Sequence, residues 1–140
     1  MYIRNVEKSD QDRILDVMVN WWGGRDLRNL VFSGLFTHFT DTCFVVEENN
    51  AMIAFLLGYL VQNNTKEAYI NWIGVHPDFR NRGIARLLYE RFYDVAKKNG
   101  RNNITCGTSI VNVKSMEWHK KMGFLVVEDK DHYYFSKIIK

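Results

Sequence analysis

The sequence predicts an α+β fold, built on a mixed sheet rather than a pure doubly wound one, and three observations lead there. Short runs rich in β-branched and aromatic residues recur along the chain, two of them bracket a polar turn as a hairpin does, and two others flank a helix-length amphipathic stretch as in a strand–helix–strand crossover. With 140 residues, 46% of them hydrophobic and 14% aromatic, the chain suits one domain, 1–140, with its own core.

Residues 2–6 alternate as a short strand. Ser9 then stands as an N-cap before Ile14, Leu15, Met18 and Trp22, which fall on one helical face. Trp21-Trp22-Gly23-Gly24-Arg25 breaks that helix, and Leu27, Leu30, Val31, Leu35 and Phe39 resume a helical spacing until 40–42 stop it, so a helical hairpin is expected. Residues 43–48 and 52–61 flank the polar turn 48–50 as an antiparallel hairpin, with Gly58 marking a bulge. A strand over 67–75 ends at Pro77-Asp78. The helix over 84–98 turns Ile84, Leu87, Leu88, Phe92 and Val95 to the core before Gly100 caps it. A strand at 103–109, a short helix at 115–122 and closing strands at 124–127 and 132–138 complete the order.

The longest apolar runs, such as 52–57, fall far short of the ~20 residues a membrane helix needs, and the first residues lack a signal-peptide pattern. A cytoplasmic protein with no membrane partner is expected. Cys43 and Cys106 lie far apart, with no C-x-x-C and no clustered histidines, so no metal site and no disulfide framework is expected and both thiols read as reduced core residues. The formal net charge is +3, but Lys and Arg are interleaved with Asp and Glu, which argues against a nucleic-acid partner. Only 80–91 concentrates positive charge.

That concentration contains Arg80-Asn81-Arg82-Gly83-Ile84-Ala85, a basic glycine turn opening a helix. Amides of a first helical turn have no partner within the helix, and the peptide dipoles make that end positive, so the turn suits phosphate. It carries neither Gly-Lys-Ser/Thr nor a full G-x-G-x-x-G, which disfavours ATP and NAD.

Val75-His76-Pro77-Asp78-Phe79-Arg80-Asn81-Arg82-Gly83-Ile84-Ala85 resembles the acetyl-CoA loop of the GNAT N-acetyltransferase superfamily, whose pattern is Arg/Gln-x-x-Gly-x-Gly/Ala; Arg80, Gly83 and Ala85 fill its fixed places. Asn112-Val113-Lys114-Ser115-Met116-Glu117-Trp118-His119-Lys120-Lys121-Met122-Gly123-Phe124 is similar to the second family motif, at the right distance. The resemblance implies a GNAT-like fold, with a central twisted and mostly antiparallel sheet, a parallel splayed pair and flanking helices. It also implies acetyl-CoA as cosubstrate and direct attack by a primary amine in a ternary complex. The expected acceptor is a small amino-acid-like or polyamine-like metabolite. A protein N-terminus or lysine as acceptor, a non-catalytic CoA-binding sensor or interaction module, and a homodimer all stay open.

The same resemblance places Ile73, Gly74, Val75 and Asn112 on the pantetheine arm; the amides around Arg82, Gly83, Ile84 and Ala85 suit the pyrophosphate, with Asn81 in the same turn and Arg80, Arg82 or Arg86 supplying charge, while Ser115 is expected at the helix start beside CoA and Lys121 near its 3′-phosphate. Acetyl transfer needs a neutral amine, a stabilised oxyanion and a departing thiolate that is protonated or tolerated. Asn71 stands where many relatives carry a carboxylate, so a water relay replaces a direct base, with Tyr69, Glu47 and Glu48 as alternatives. His119 stands where many members place the tyrosine that protonates the thiolate, and is expected near the CoA sulfur as that acid; a hydrogen-bonded structural histidine or a contact to the CoA adenine is the alternative. Trp21, Trp22, Arg25 and Trp72 are expected to wall the acceptor, joined by Phe36, His38 and Phe39, with tryptophan covering the amine and Arg25 pairing a carboxylate.

Overall fold

Cys43-Phe44-Val45-Val46 is apolar at every position because its strand is covered on both faces: Phe44 and Val46 point into one core cluster, Cys43 and Val45 into another. The computed structural model describes residues 1–24 and 26–140. Strands β1 (Tyr2–Asn5), β2 (Cys43–Glu48), β3 (Ala51–Leu60), β4 (Glu67–Val75), β5 (Asn103–Ser109), β6 (Leu125–Asp129) and β7 (His132–Ile138) make one sheet in the order β1-β2-β3-β4-β5-β7-β6. Every neighbouring pair is antiparallel except β4 and β5. That parallel step requires a crossover, which α2 (Ile84–Lys98) supplies.

Helix α1 (Asp10–Trp21) buries Ile14, Met18 and Trp21 against Val45, Phe55 and Leu57 on one side of the sheet. On the other side α2 buries Leu88, Tyr89 and Phe92 with Leu56, Ile70 and Ile104, and α3 (Val113–Lys121) adds His119 beneath β7. Both cysteines are buried and unpaired in a disulfide, as expected. The bulge expected at Gly58 is there, as a register shift between Leu57 and Gly58 in the β3–β4 ladder. Among the described residues no helix is long and apolar enough to cross a membrane.

Two local expectations are corrected. Residues 27–39 do not form the second arm of a helical hairpin but pass through short 3-10 turns, Arg28–Leu30 and Ser33–Phe36, with a third at Thr40–Thr42. Of that spacing only Leu35 is buried in the core, where Phe36 from outside the spacing joins it, while Leu30 and Phe39 stay exposed, so no continuous apolar face rewards a helix; Gly34, Ser33 and Thr37 also lower its propensity. Ser9 makes no side-chain cap, because its backbone is already helical. Asp10 fastens the entry to α1 instead: its Oδ2 accepts the Glu7 amide at 2.7 Å, and both oxygens accept from Arg4, at 2.8 and 2.9 Å. Arg4 also donates to Glu47 at 2.6 Å, joining β1, β2 and α1.

Candidate active site

The site begins where β4 and β5 part. Their parallel pairing runs from Glu67 opposite Asn103 only to Tyr69 opposite Thr105, while β4 stays paired with β3 through Val75 and β5 with β7 through Ser109. Beyond Tyr69 the β4 edge therefore faces a gap rather than a strand, and two cavities open there. One of about 350 Å³ runs along Ile73, Gly74 and Val75 to Gly83, Ile84 and Ala85. The other, about 790 Å³, lies between Trp22, Trp72 and Asn71 on one side and Thr108, Asn112 and His132 on the other.

The loop between β4 and α2 is shaped for an anion. Gly83 is the N-cap of α2 at φ +78°, and Asn81 lies at φ +62°, both in the left-handed region. Leu87 makes the first main-chain bond of the helix, to Gly83 O at 3.1 Å, which leaves the amides of Ile84, Ala85 and Arg86 without an acceptor inside the helix. Arg80 lies against the loop and α1: its Nε donates to Val75 O at 3.2 Å and its Nη2 to Trp21 O. Arg82 lies over the Phe79 ring at 5.1 Å, and Arg86 Nε meets Met122 Sδ at 3.3 Å. Of the three arginines expected to supply charge, Arg80 is thus a brace between loop, β4 and α1.

The two cavities meet at a hydrogen-bonded chain. Tyr89 from α2, with Ser115 and His119 from α3, lines both. His119 is 5% exposed, and its Nδ1 is 2.7 Å from Ser115 O while its Nε2 is 2.9 Å from Tyr89 Oη. Burial pushes its pKa down from 6.5 to about 4, partly opposed by the Ser115 carbonyl, so the ring is neutral at physiological pH. Ser115 O can only accept, which fixes the proton on Nδ1 and leaves Nε2 as the acceptor for the Tyr89 hydroxyl. A neutral ring in this tautomer presents no proton to the cavities.

Residues 9–124 match the model of the acetyltransferase (GNAT) family. The chain belongs to that family. An uncharacterized N-acetyltransferase of Methanocaldococcus jannaschii is 31% identical over 134 residues, covering 87% of this chain, which spans 59% of that relative's length. Two solved structures share the fold at low identity. The ribosomal-protein-S18-alanine N-acetyltransferase of Escherichia coli superposes with a TM-score of 0.83 at 19% identity, covering 99% of this chain and 94% of that one. Diaminobutyrate acetyltransferase EctA of Paenibacillus lautus, solved with its substrate and coenzyme A, gives 0.77 at 17%, covering 96% and 92%.

In this GNAT chain Ile73, Gly74, Val75, Arg80, Asn81, Gly83, Ile84, Ala85, Arg86 and Ser115 all line the smaller cavity, and Asn112 the larger. Asn112 also caps α3, its Oδ1 accepting from the Ser115 amide at 3.4 Å. Arg82 and Lys121 line neither cavity. Asn71 and Tyr69 line the larger cavity, where burial and then neighbouring Tyr59 raise the Tyr69 pKa and keep the phenol protonated. Glu47 and Glu48 lie away from both cavities, Glu47 bound to Arg4.

At the larger cavity Trp22 stacks on Trp72 at 5.5 Å, and Trp21, 6% exposed, stacks on Phe55 at 5.8 Å. Trp72 Nε1 is buried with no partner among the described residues. Phe36 belongs to the core, and neither His38 nor Phe39 lines either of these two cavities. The expectation for Arg25 lies outside the described residues. Sequence reasoning missed Tyr89, Trp118, Cys106, Lys114 and His132, all of which line one or both cavities. Tyr89 falls outside the apolar face named for 84–98, and its hydroxyl partner sits thirty residues away on another helix.

Proposed function

We propose that the chain is an acetyl-CoA-dependent N-acetyltransferase acting on the primary amine of a small amino-acid-like acceptor. The observation that carries this reading is the continuity of three unpartnered helix-start amides, the open β4 edge and an aromatic-walled cavity around one junction. Acetyl-CoA fits these groups and supplies an activated acetyl thioester. The amides of Ile84, Ala85 and Arg86 hold the pyrophosphate, Gly83 lets it approach the backbone, and the main chain of Ile73, Gly74 and Val75 aligns the pantetheine arm. A main-chain amide in that stretch faces the oxygen on which charge develops.

The acceptor cavity narrows the amine. Among its described lining residues there is no Asp or Glu, while Arg80, Lys114 and His132 are present. A polyamine would find no anion among these residues, whereas an acceptor with a carboxylate finds the Arg80 and Lys114 cations and the Trp22–Trp72 pair along its apolar body. Asn71 in place of a carboxylate favours water as the first receiver of the amine proton.

A protein N-terminus is the second reading, favoured by Leu30 and Val111, which are 67% and 77% exposed at the cavity and give it an apolar lip. Thiol release from acetyl-CoA with amino acids, polyamines and short peptides separates the readings. Turnover with amino-acid-like amines supports the first, turnover confined to peptides the second, and thiol release with none of them removes both.

A further inference from the structure

The wall between the two cavities holds one connected set of proton-bearing groups, and it has a direction. Ser115 O takes the Nδ1 proton of His119 at 2.7 Å, and the Tyr89 hydroxyl donates to Nε2 at 2.9 Å. Tyr89 and His119 line both the cavity along the loop and the cavity between the tryptophans, so the pair sits in the wall that the two share. The remaining shell is stiff. Phe135 stacks on the imidazole at 4.0 Å and 5°, Phe124 and Trp118 meet it edge-on at 5.2 and 5.0 Å, and Trp118 meets the Tyr89 ring edge-on at 5.1 Å. Cys106 Sγ on β5 stands 3.5 Å from Nε2 and 3.9 Å from the Tyr89 oxygen, but burial raises this thiol to about 12 and holds it protonated.

We infer that Tyr89 is the residue that exchanges protons with the reacting atoms, and that His119 acts through it as a proton store. The inference rests on the acetyltransferase reading above. As the amine nitrogen bonds to the acetyl carbon, a water takes the nitrogen's proton and gives one to Tyr89 Oη, which passes its own proton to His119 Nε2. When the carbon–sulfur bond breaks, the electron pair leaves with sulfur, and the proton returns from Nε2 through Oη to the thiolate. The products are an amide and a thiol, with Tyr89 and His119 restored. The Ser115 carbonyl supports the step by accepting from Nδ1 throughout, including while the ring carries its second proton.

This assignment differs from an acid role for His119 itself. In the resting tautomer its one proton is committed to Ser115 O, whereas the hydroxyl it holds belongs to a side chain 1% exposed to solvent yet lining both cavities.

Tyr89→Phe removes the hydroxyl and keeps the ring that packs against Trp118 and Phe124. The expected result is a kcat lowered on the order of a hundredfold or more, with acetyl-CoA affinity by calorimetry within about twofold of wild type. The rate in mixed H2O and D2O should curve with deuterium fraction in wild type, because two protons move together, and become linear in His119→Gln, which keeps an acceptor but not a base. In the free protein, 15N NMR should find His119 protonated at Nδ1, with an Nε2 shift that changes in Tyr89→Phe. A Tyr89→Phe enzyme with unchanged kcat, or a ring protonated at Nε2, would overturn the inference while leaving acetyl transfer intact. A wild-type chain that binds acetyl-CoA and releases no thiol with any amine would overturn both.

Discussion

Arg80 donates through its guanidinium to the main-chain carbonyl of Trp21, 59 residues earlier, and so ties the anion-binding loop to the end of α1. Its Nε holds Val75 O as well, so one side chain fixes the loop, the open strand edge and the helix that carries the acceptor wall. Arg80→Ala should therefore weaken acetyl-CoA and acceptor together, with kcat/KM for each falling about tenfold to a hundredfold, the range for charged hydrogen bonds worth ~1.5–3 kcal/mol. Arg82→Ala, whose guanidinium lies over Phe79 instead, should leave the acceptor KM unchanged. Steady-state kinetics with both substrates varied distinguishes the two. Equal effects would show that Arg80 acts only as a charge.

Two glycines fail for different reasons. A Cβ at Gly83 would meet nothing within 4 Å, so Gly83→Ala is strained only by its φ of +78°, a cost of about 1–2 kcal/mol, and should act mainly on acetyl-CoA binding. A Cβ at Gly74 would stand 2.5 Å from Phe55 Cε1, so Gly74→Ala should destabilise the fold by overpacking, by about 1–3 kcal/mol. Urea unfolding beside calorimetric CoA titration tells them apart. A Gly83→Ala variant with unchanged CoA affinity would contradict the assignment.

Much of this framework was legible because two periodicities are clean. Residues 43–48 and 52–61 flank a polar turn and became β2 and β3, and the spacing of Ile84, Leu88 and Phe92 became the buried face of α2. The stretch 27–39 misled because its apolar residues mimic a helical spacing while tertiary packing takes only Leu35 and Phe36. The loop 80–86 was readable because its chemistry is main-chain and local. The Tyr89–His119 pair was not, because it exists only once α2 and α3 pack side by side. Lys114 and His132 likewise reach the acceptor cavity from an exposed helix start and a distant strand.

Acid should unfold the protein in two stages. His119 titrates near 4 when folded and near 6.5 when unfolded, so between these values the unfolded chain binds more protons. Stability is full above about pH 6.5 and falls as pH drops toward 4, by on the order of 2–3 kcal/mol. For Asp10 burial acts to raise the pKa, but Arg4, the Glu7 amide and Arg13 outweigh it and hold the carboxyl at about 2. Its contribution is present above the usual carboxylate value of about 3.9 and is lost only as pH falls from there toward 2. Urea midpoints between pH 7.5 and 4 should slope in wild type and flatten in His119→Phe. Parallel slopes would exclude His119 as the group responsible.

The wall of the larger cavity should set affinity for the amine. Trp22→Ala removes the stacking partner of Trp72 and should raise the acceptor KM about tenfold, the scale of a lost aromatic pair and its apolar contact. Lys114→Glu should raise KM for carboxylate-bearing amines and lower it for amines with an extra positive charge, with acetyl-CoA affinity unchanged. If Lys114→Glu treats both amine classes alike, the cavity's cations do not select the acceptor.

Thiol release from acetyl-CoA, followed with amino-acid-like amines, polyamines and peptides at matched concentrations, tests the central claim most directly. Turnover with the carboxylate-bearing amines above that with polyamines, lowered about tenfold to a hundredfold when Arg80 is replaced by alanine, is the result expected of a donor loop braced to an acceptor cavity whose described lining holds no Asp or Glu. Binding of acetyl-CoA with no thiol released in the presence of any amine would contradict it.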